Sequence, residues 1–322
     1  MDHKNGLISR IFPILIILAG ICLLGYPYLS EYLFEHRTDS IIKTEAVKAE
    51  SNNDADNDAL IKHAIQYNKE LSESKVTITD PFTLEDTSFN DDYIDVLNID
   101  GDGYIGTVEI PRISVELPIY HGTDVNTLER GVGHLHGSSF PIEGENVHSV
   151  LSAHTGLNKA KLFTDLVNLE PEDMFFIHIL DRTYAYQVVE INVVLPEDTS
   201  LLGIKKGQNL CTLVTCTPYG INDHRLLVTG EKVDYTPDQI EDVVKKEEQK
   251  PSESMWMRSY KKAIMIGLAA SFIIVLIMHL IAKRKDAAII EKNSNDSDQL
   301  ILPKGIYTRA QRERTSDVEN NL

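Results

Sequence analysis

Along the chain, uncharged apolar runs bracket a long stretch in which apolar and polar positions alternate. Residues 11–29, IFPILIILAGICLLGYPYL, and residues 263–282, AIMIGLAASFIIVLIMHLIA, contain no charged side chain. Each is close to the roughly 20 residues a helix needs to cross a bilayer. Between them, residues 38–75 are polar and rich in Ala, Glu, Lys and Asn, a pattern that predicts a helix or a helix pair. Asp and Asn around 52–57 cost helicity because their side chains compete for backbone hydrogen bonds. From 104 onward, short β-branched segments alternate with turn signals: YIGTVEIP, ISVELPIY, VHSVLSAH, FFIHIL, TYAYQVVEINVVLP, LCTLVTC and RLLVTGEKVDY. Strands of this length and spacing predict an all-β barrel or sandwich. KAKLFTDLVNL, 159–169, reads as one helical interruption. Residues 236–262 are charged, lack a core pattern and read as a helix or linker.

Charge gives the arrangement a direction. Lys4 and Arg10 precede the first apolar run, and Lys283, Arg284 and Lys285 follow the second. The positive-inside bias then places both termini in the cytoplasm and residues 30–262 outside. Tyr26–His36 offers no small-residue cleavage pattern, so the first run reads as an uncleaved anchor. The 322 residues carry a net charge of −18; each cytoplasmic end nets +1, leaving −20 on the outer part. That excess argues against a nucleic-acid partner, which requires a basic face.

Only three cysteines occur, Cys22, Cys211 and Cys216. Cys211 and Cys216 lie five apart in one predicted strand and so point to opposite faces. Residues 212–230, TLVTCTPYGINDHRLLVTG, read as a hairpin that brings Cys216 close to Arg225. A nearby cation favours the thiolate, the nucleophilic form of Cys. A guanidinium cannot act as a base, but it stabilises a thiolate or an oxyanion. Proton transfer to a leaving amine calls for a third group, and His154, ending SVLSAH before Gly156, is the candidate.

TLVTCTPYG followed by HRLLVTG resembles the catalytic signature of sortases, the cysteine transpeptidases of Gram-positive surfaces. The resemblance continues through YIGTVEIPRISVELPIYHGT, GVGHLHGSSFPIEGENVHSVLSAHTGL and KLFTDLVNL, covering about 93–235. It implies a mainly β fold: a closed sortase-type barrel with a few short helices, an N-terminal helical and lid region, and two flanking transmembrane helices. The implied segments are a cytoplasmic 1–10, a span at 11–29, a helical region with its lid at 30–92, the catalytic barrel at 93–235, a linker at 236–262, a second span at 263–282 and a cytoplasmic tail at 283–322. By motif position, Cys216 matches the nucleophile, His154 the acid/base and Arg225 the third member.

The CTPYGIN and HRLLV wording, the second span and Asp80-Pro81-Phe82 resemble the pilin-polymerising class C subgroup. There the lid Asp contacts the Arg and the aromatic covers the nucleophile. Thr215, beside the nucleophile, and His121 are candidates for the substrate cleft. The implied activity is cleavage of LPxTG-like signals between Thr and Gly through a thioester, followed by transfer to a pilin lysine. A cell-wall cross-bridge amine as acceptor, or a non-catalytic surface scaffold, are the alternatives. The implied partners are the membrane and pilin or surface proteins; no cofactor or metal is implied. Asn98–Glu109 imitates a calcium loop but runs into a strand, and His134, His136 and His148 lack metalloprotease spacing.

Overall fold

The computed structural model describes residues 2–52, 54–74, 76–83, 91–156 and 160–248, and then 258, 260–273, 276–277, 279–281 and 283–284. Two compact units result, Met1–Tyr260 and Lys261–Leu322. The described residues of the second are helical.

The first unit begins with α1 (Asp2–Ser51), 50 residues and hence about 75 Å long at 1.5 Å per residue. It stops where Asn and Asp begin to compete for backbone partners. Asn57 Nδ2 donates to Ala49 O at 3.2 Å, and Asn52 Nδ2 donates to Asn57 Oδ1 at 3.3 Å. The chain restarts as α2 (Asp54–Glu73), which buries Ile61, Ala64 and Asn68. Asn68 grips the loop below it from both sides, donating to Phe140 O at 2.9 Å and accepting from Phe140 N at 2.8 Å. The sequence left a helix or a helix pair open over 38–75; two helices are found. Residues 84–90, just before α3 (Asp91–Asp95), lie outside the described residues.

Eight strands form a closed barrel: β1 (Tyr104–Ile110), β2 (Val115–His121), β3 (Val132–His134), β4 (Val147–Ser152), β5 (Met174–Ile179), β6 (Arg182–Val194), β7 (Asn209–Thr217) and β8 (His224–Val233). Their spatial order is β1-β2-β3-β4-β7-β8-β6-β5, and β5 returns to β1 through pairs such as Val108 with Ile177. Closure leaves no strand edge open for pairing with another chain. Seven strands match segments read from alternation; β3, three residues long, was not read. Between β2 and β3 sits α4 (Val125–Arg130), capped by Asp124, whose side chain accepts from Asn126 N and Thr127 N.

Two local expectations need correction. Residues 159–169 do not form an α-helix: the described part is a run of turns ending in a 3₁₀ turn at Leu166–Asn168. Leu162 has a positive φ of 42°, and Lys161 is tied to its surroundings through both its backbone N–H and its ammonium. Residues 237–248, read as lacking a core pattern, do carry one. There α5 (Pro237–Glu248) packs Ile240, Val243 and Val244 over Met174, Phe176 and Ala185 on the outer barrel surface.

Among the described residues, no helix is long and apolar enough to cross a membrane. The backbone over 11–29 is helical as part of α1, but the side chains of residues 1–19, 21 and 23 lie outside the description. Positions 274, 275, 278 and 282 of the second expected span also lie outside it. The two flanking transmembrane helices are therefore without support from the structure.

Candidate active site

The β7–β8 hairpin sets the register of the site. Cys216 pairs directly with Arg225 across the two strands, and Thr217 pairs with His224. The connecting turn closes on Pro218 O, which accepts from Ile221 N and Asn222 N, both at 3.0 Å. Gly220 (φ +80°) and Asn222 (φ +63°) supply its left-handed conformations, as Gly and Asn do at low cost.

His154 arrives from the other flank of β7. β4 runs parallel to β7 with Ser152 opposite Val214, and the alignment continues past the strand end. Ala153 N donates to Val214 O at 3.2 Å, and Thr215 Oγ1 donates to Ala153 O at 2.8 Å. These bonds carry His154 to the end of β7 where Cys216 stands. Thr215, a candidate cleft residue, is 2% exposed and its hydroxyl is spent on this tie.

The segment 76–83 lies over the site. Asp80 takes both a 2.8 Å bond from Arg225 Nε to Oδ1 and a 2.8 Å bond from Arg225 Nη2 to Oδ2. The third guanidinium nitrogen, Nη1, donates to His224 O at 3.2 Å and Asn222 O at 3.3 Å. Pro81 follows, buried, in a turn closed by Thr83 N donating to Asp80 O at 3.1 Å. The Phe82 ring stands between the two flanks. Its centroid is 5.9 Å from the His154 ring and 5.1 Å from Arg225 Cζ.

A tie that no motif announced holds the segment from behind. Thr199 Oγ1 donates to Ile78 O at 2.9 Å. Ile78 and Phe82 pack into one apolar cluster with Leu135, Val150, Val214, Leu227, Leu201 and Leu202. The sequence signal was limited to Asp198, whose side chain accepts from Ser200 and shapes this loop. Nothing in it pointed to residue 78.

Electrostatics follow from burial and this pairing. Burial pushes the Cys216 thiol up, Arg225 pulls it down, and Asp80 pushes it up again. The hydrogen bonds to Asp80 hold the Arg225 guanidinium above its usual range. Burial lowers the His154 imidazole, opposed by the charge of Glu129 on α4. At neutral pH the site thus holds a neutral imidazole, a half-buried thiol and a cation already satisfied by a carboxylate.

His121 is not in a cleft. It is 5% exposed, its ring nitrogens face Gly103 O at 3.0 Å and Val96 O at 2.9 Å, and it packs edge-on to Tyr93. His134 and His136 surround the same tyrosine, whose hydroxyl lies 3.0 Å from His134 Nδ1. His148 is buried, with its ring nitrogens 2.8 Å from Gly203 O and 2.7 Å from Thr212 Oγ1. In the acidic loop, Asn98 and Asp102 accept from the backbone N–H of Gly103 and Tyr104, and Asp100 pairs with Lys48. Cys211 is fully buried in the core, on the face opposite Cys216.

The sortase-domain family model matches residues 108–233. Sortase D of Bacillus subtilis is 34% identical over 131 residues, 40% of this chain and 63% of that relative's length. Sortase A of Bacillus anthracis is 25% identical over 226 residues, covering 70% of this chain and 95% of that one. Among solved structures, sortase C of Streptococcus pneumoniae is similar over 61% of this chain and 98% of its own, with 39% identity and a TM-score of 0.56. Sortase C-1 of Actinomyces oris is similar over 56% of this chain and 99% of its own, with 45% identity and a TM-score of 0.53.

Proposed function

This chain belongs to the sortase family, in its class C subgroup, and we propose that it is a membrane-anchored transpeptidase that joins pilin subunits. The observation that carries the reading is the meeting of three side chains at one end of β7: Cys216, Arg225 paired with it across the hairpin, and His154 brought up by β4. The structural relatives include a sortase C whose description concerns pilin substrate specificity.

The proposed cycle uses each group once in each direction. Once a signal displaces the covering segment, the Cys216 thiol passes its proton to His154, and the resulting thiolate attacks the Thr carbonyl carbon of an LPxTG-like signal. Arg225, released from Asp80, holds the carbonyl oxygen as negative charge develops on it. The bond from Thr to Gly nitrogen breaks, the leaving amine takes a proton from the His154 imidazolium, and a thioester remains. A lysine amine then attacks the thioester and gives a proton to His154. The C–S bond breaks and the thiolate returns. The thioester conserves the energy of the cleaved amide, so the cycle needs no nucleotide or cofactor. Asp80, Pro81 and Phe82 act as a lid: the carboxylate occupies Arg225 and the ring shields the thiol until a signal displaces them. The uncharged runs 11–29 and 263–282 are the proposed membrane anchors.

The test is product analysis. An LPxTG-type peptide and Nα-acetyl-lysine are incubated with the full chain in detergent, unmodified and as Asp80→Ala, and the products sequenced by tandem mass spectrometry. The reading expects Thr joined to the lysine Nε and a free glycine amine on the other fragment. Intact peptide with both proteins, or cleavage at another bond, contradicts it.

A further inference from the structure

The segment over the site falls into three parts. Asp80–Thr83 closes on itself: Thr83 N donates to Asp80 O at 3.1 Å, and Thr83 Oγ1 donates to the same oxygen at 2.9 Å. Pro81 adds a fixed φ and restricts Asp80 before it, so this turn moves as one piece. Ile78 lies inward. Its carbonyl is held by Thr199 Oγ1 at 2.9 Å, and its side chain belongs to the cluster that includes Leu201, Leu202 and Val214. Thr79, between the two, is exposed. We propose that Thr199 pins Ile78 as a pivot: the Asp80–Thr83 turn swings about Thr79 when a signal arrives, while Ile78 stays seated. This rests on the lid role given to the segment above and specifies how the lid is regulated.

The pin is built on a stiff loop. β6 ends at Val194, which pairs with Arg225, and β7 begins at Asn209. Between them, Asp198 N donates to Leu195 O at 3.0 Å, and Leu202 N donates to Thr199 O at 3.0 Å. Asp198 Oδ1 accepts from Ser200 N at 3.2 Å and from Ser200 Oγ at 2.6 Å. Farther on, Gly203 O lies 2.8 Å from Nδ1 of the buried His148 on β4. These bonds hold Thr199 in place whether the lid is down or up. The loop also joins the two anchorages. Val194, opposite Arg225, is five positions from Thr199. The Arg225–Asp80 pair and the Thr199–Ile78 bond thus hang on the two ends of one short connection.

The two holds differ in kind. Asp80 must leave Arg225 before the guanidinium can meet a substrate, so that contact breaks in every cycle. The Thr199 bond touches no reacting group and need not break. Its effect is on the return of the lid. Phe82 is four positions from Ile78, so a pinned pivot keeps the ring within about 14 Å of its seat, at roughly 3.5 Å per residue. A group tethered this closely rebinds at the high effective concentration of an intramolecular contact. Freeing Ile78 lengthens the tether and raises the open fraction of the site.

The experiment reads the open fraction as the rate at which iodoacetamide alkylates Cys216 in the full chain in detergent, followed by peptide mass spectrometry. Thr199→Val keeps the shape and removes the donor. It is expected to raise the rate about fivefold, the scale of one net hydrogen bond, both alone and on top of Asp80→Ala. kcat/KM for an LPxTG-type peptide should rise by a similar factor, because apparent affinity scales with the competent fraction. Thr199→Ser keeps the hydroxyl and should stay within about twofold of the parent. Ile78→Ala strips the seat, leaves the loop intact and should raise the rate as Thr199→Val does. An unchanged rate in a folded Thr199→Val, or equal acceleration by the Val and Ser variants, overturns the pin. If Thr199→Val does not fold, an unchanged rate in Ile78→Ala overturns it. If Asp80→Ala itself leaves the rate unchanged, the lid role fails, and the pivot with it.

Discussion

Asp80 and Arg225, 145 positions apart, meet in a two-point ion pair, each bond 2.8 Å, with the side chains only 10% and 12% exposed. Fork-to-carboxylate geometry is the strong form of this contact. The carboxylate neutralises the cation that pulls the Cys216 thiol down.

Asp80→Ala is therefore expected to lower the Cys216 pKa and to uncover it at the same time. The alkylation rate with iodoacetamide near neutral pH should rise several-fold, since each unit of pKa is worth about tenfold in thiolate fraction well below the pKa. The pH profile of labelling should shift to lower pH. Unchanged rate and profile would remove the lid assignment.

The barrel was legible because its strands advertise themselves. Aliphatic and β-branched residues crowd β1, β4 and β7, and Gly, Pro, Asn and Asp mark the turns between strands. The Cys216–Arg225 pairing could be read from the hairpin alone, since the register is local. His154 stood out as a candidate at a strand end before Gly156, and the resemblance to a family motif singled it out; its parallel alignment beside β7 joins strands 57 or more residues apart, which spacing does not encode. His121 misled because a loop histidine next to Gly122 reads as accessible, whereas Tyr93 from α3 closes over it. The 161–165 turn read as a helix because Leu162, Asp165 and Leu166 have helical spacing, and no local signal reveals the tertiary ties of Lys161.

Arg225→Lys keeps the charge and loses the planar fork. It is expected to lower kcat/KM by about 10²-fold or more, the scale of losing one oxyanion donor. The alkylation rate of Cys216 should change far less. Steady-state kinetics on a quenched LPxTG-type peptide distinguishes these; turnover near that of the parent would sink the role.

Thr215→Val preserves shape and removes the hydroxyl that ties β7 to Ala153. The loss of a buried hydrogen bond costs about 1–3 kcal/mol. A fall of a few degrees in the melting temperature of the catalytic unit is expected, together with a lower kcat as His154 loses its support. A variant of unchanged stability and kcat would show that the tie does not position the site.

Glu31 on α1 makes the docking of that helix sensitive to pH. Its carboxyl accepts from Lys161 N at 3.2 Å and is pushed up to about 7, first by burial and then by Glu35. Lys161 pulls it down and Asp165 pushes it up, and Glu116 of β2 lines the same recess. A carboxyl with a raised pKa binds its proton more tightly when docked. Docking is thus strongest below about 4.5, weakens as pH rises to about 7, and is level above that. Hydrogen exchange at the amides of 160–166 should quicken across that window. Glu31→Gln should flatten the dependence; a slope that survives the substitution would assign it to another group.

The central claim is that Cys216 carries an acyl group. The direct measurement is the intact mass of the Asp80→Ala chain after incubation with LPxTG-type peptides. The account predicts an added mass equal to the peptide up to its Thr, released by hydroxylamine and absent from Cys216→Ala. No adduct, with Cys216 readily alkylated and the fold intact, would contradict it.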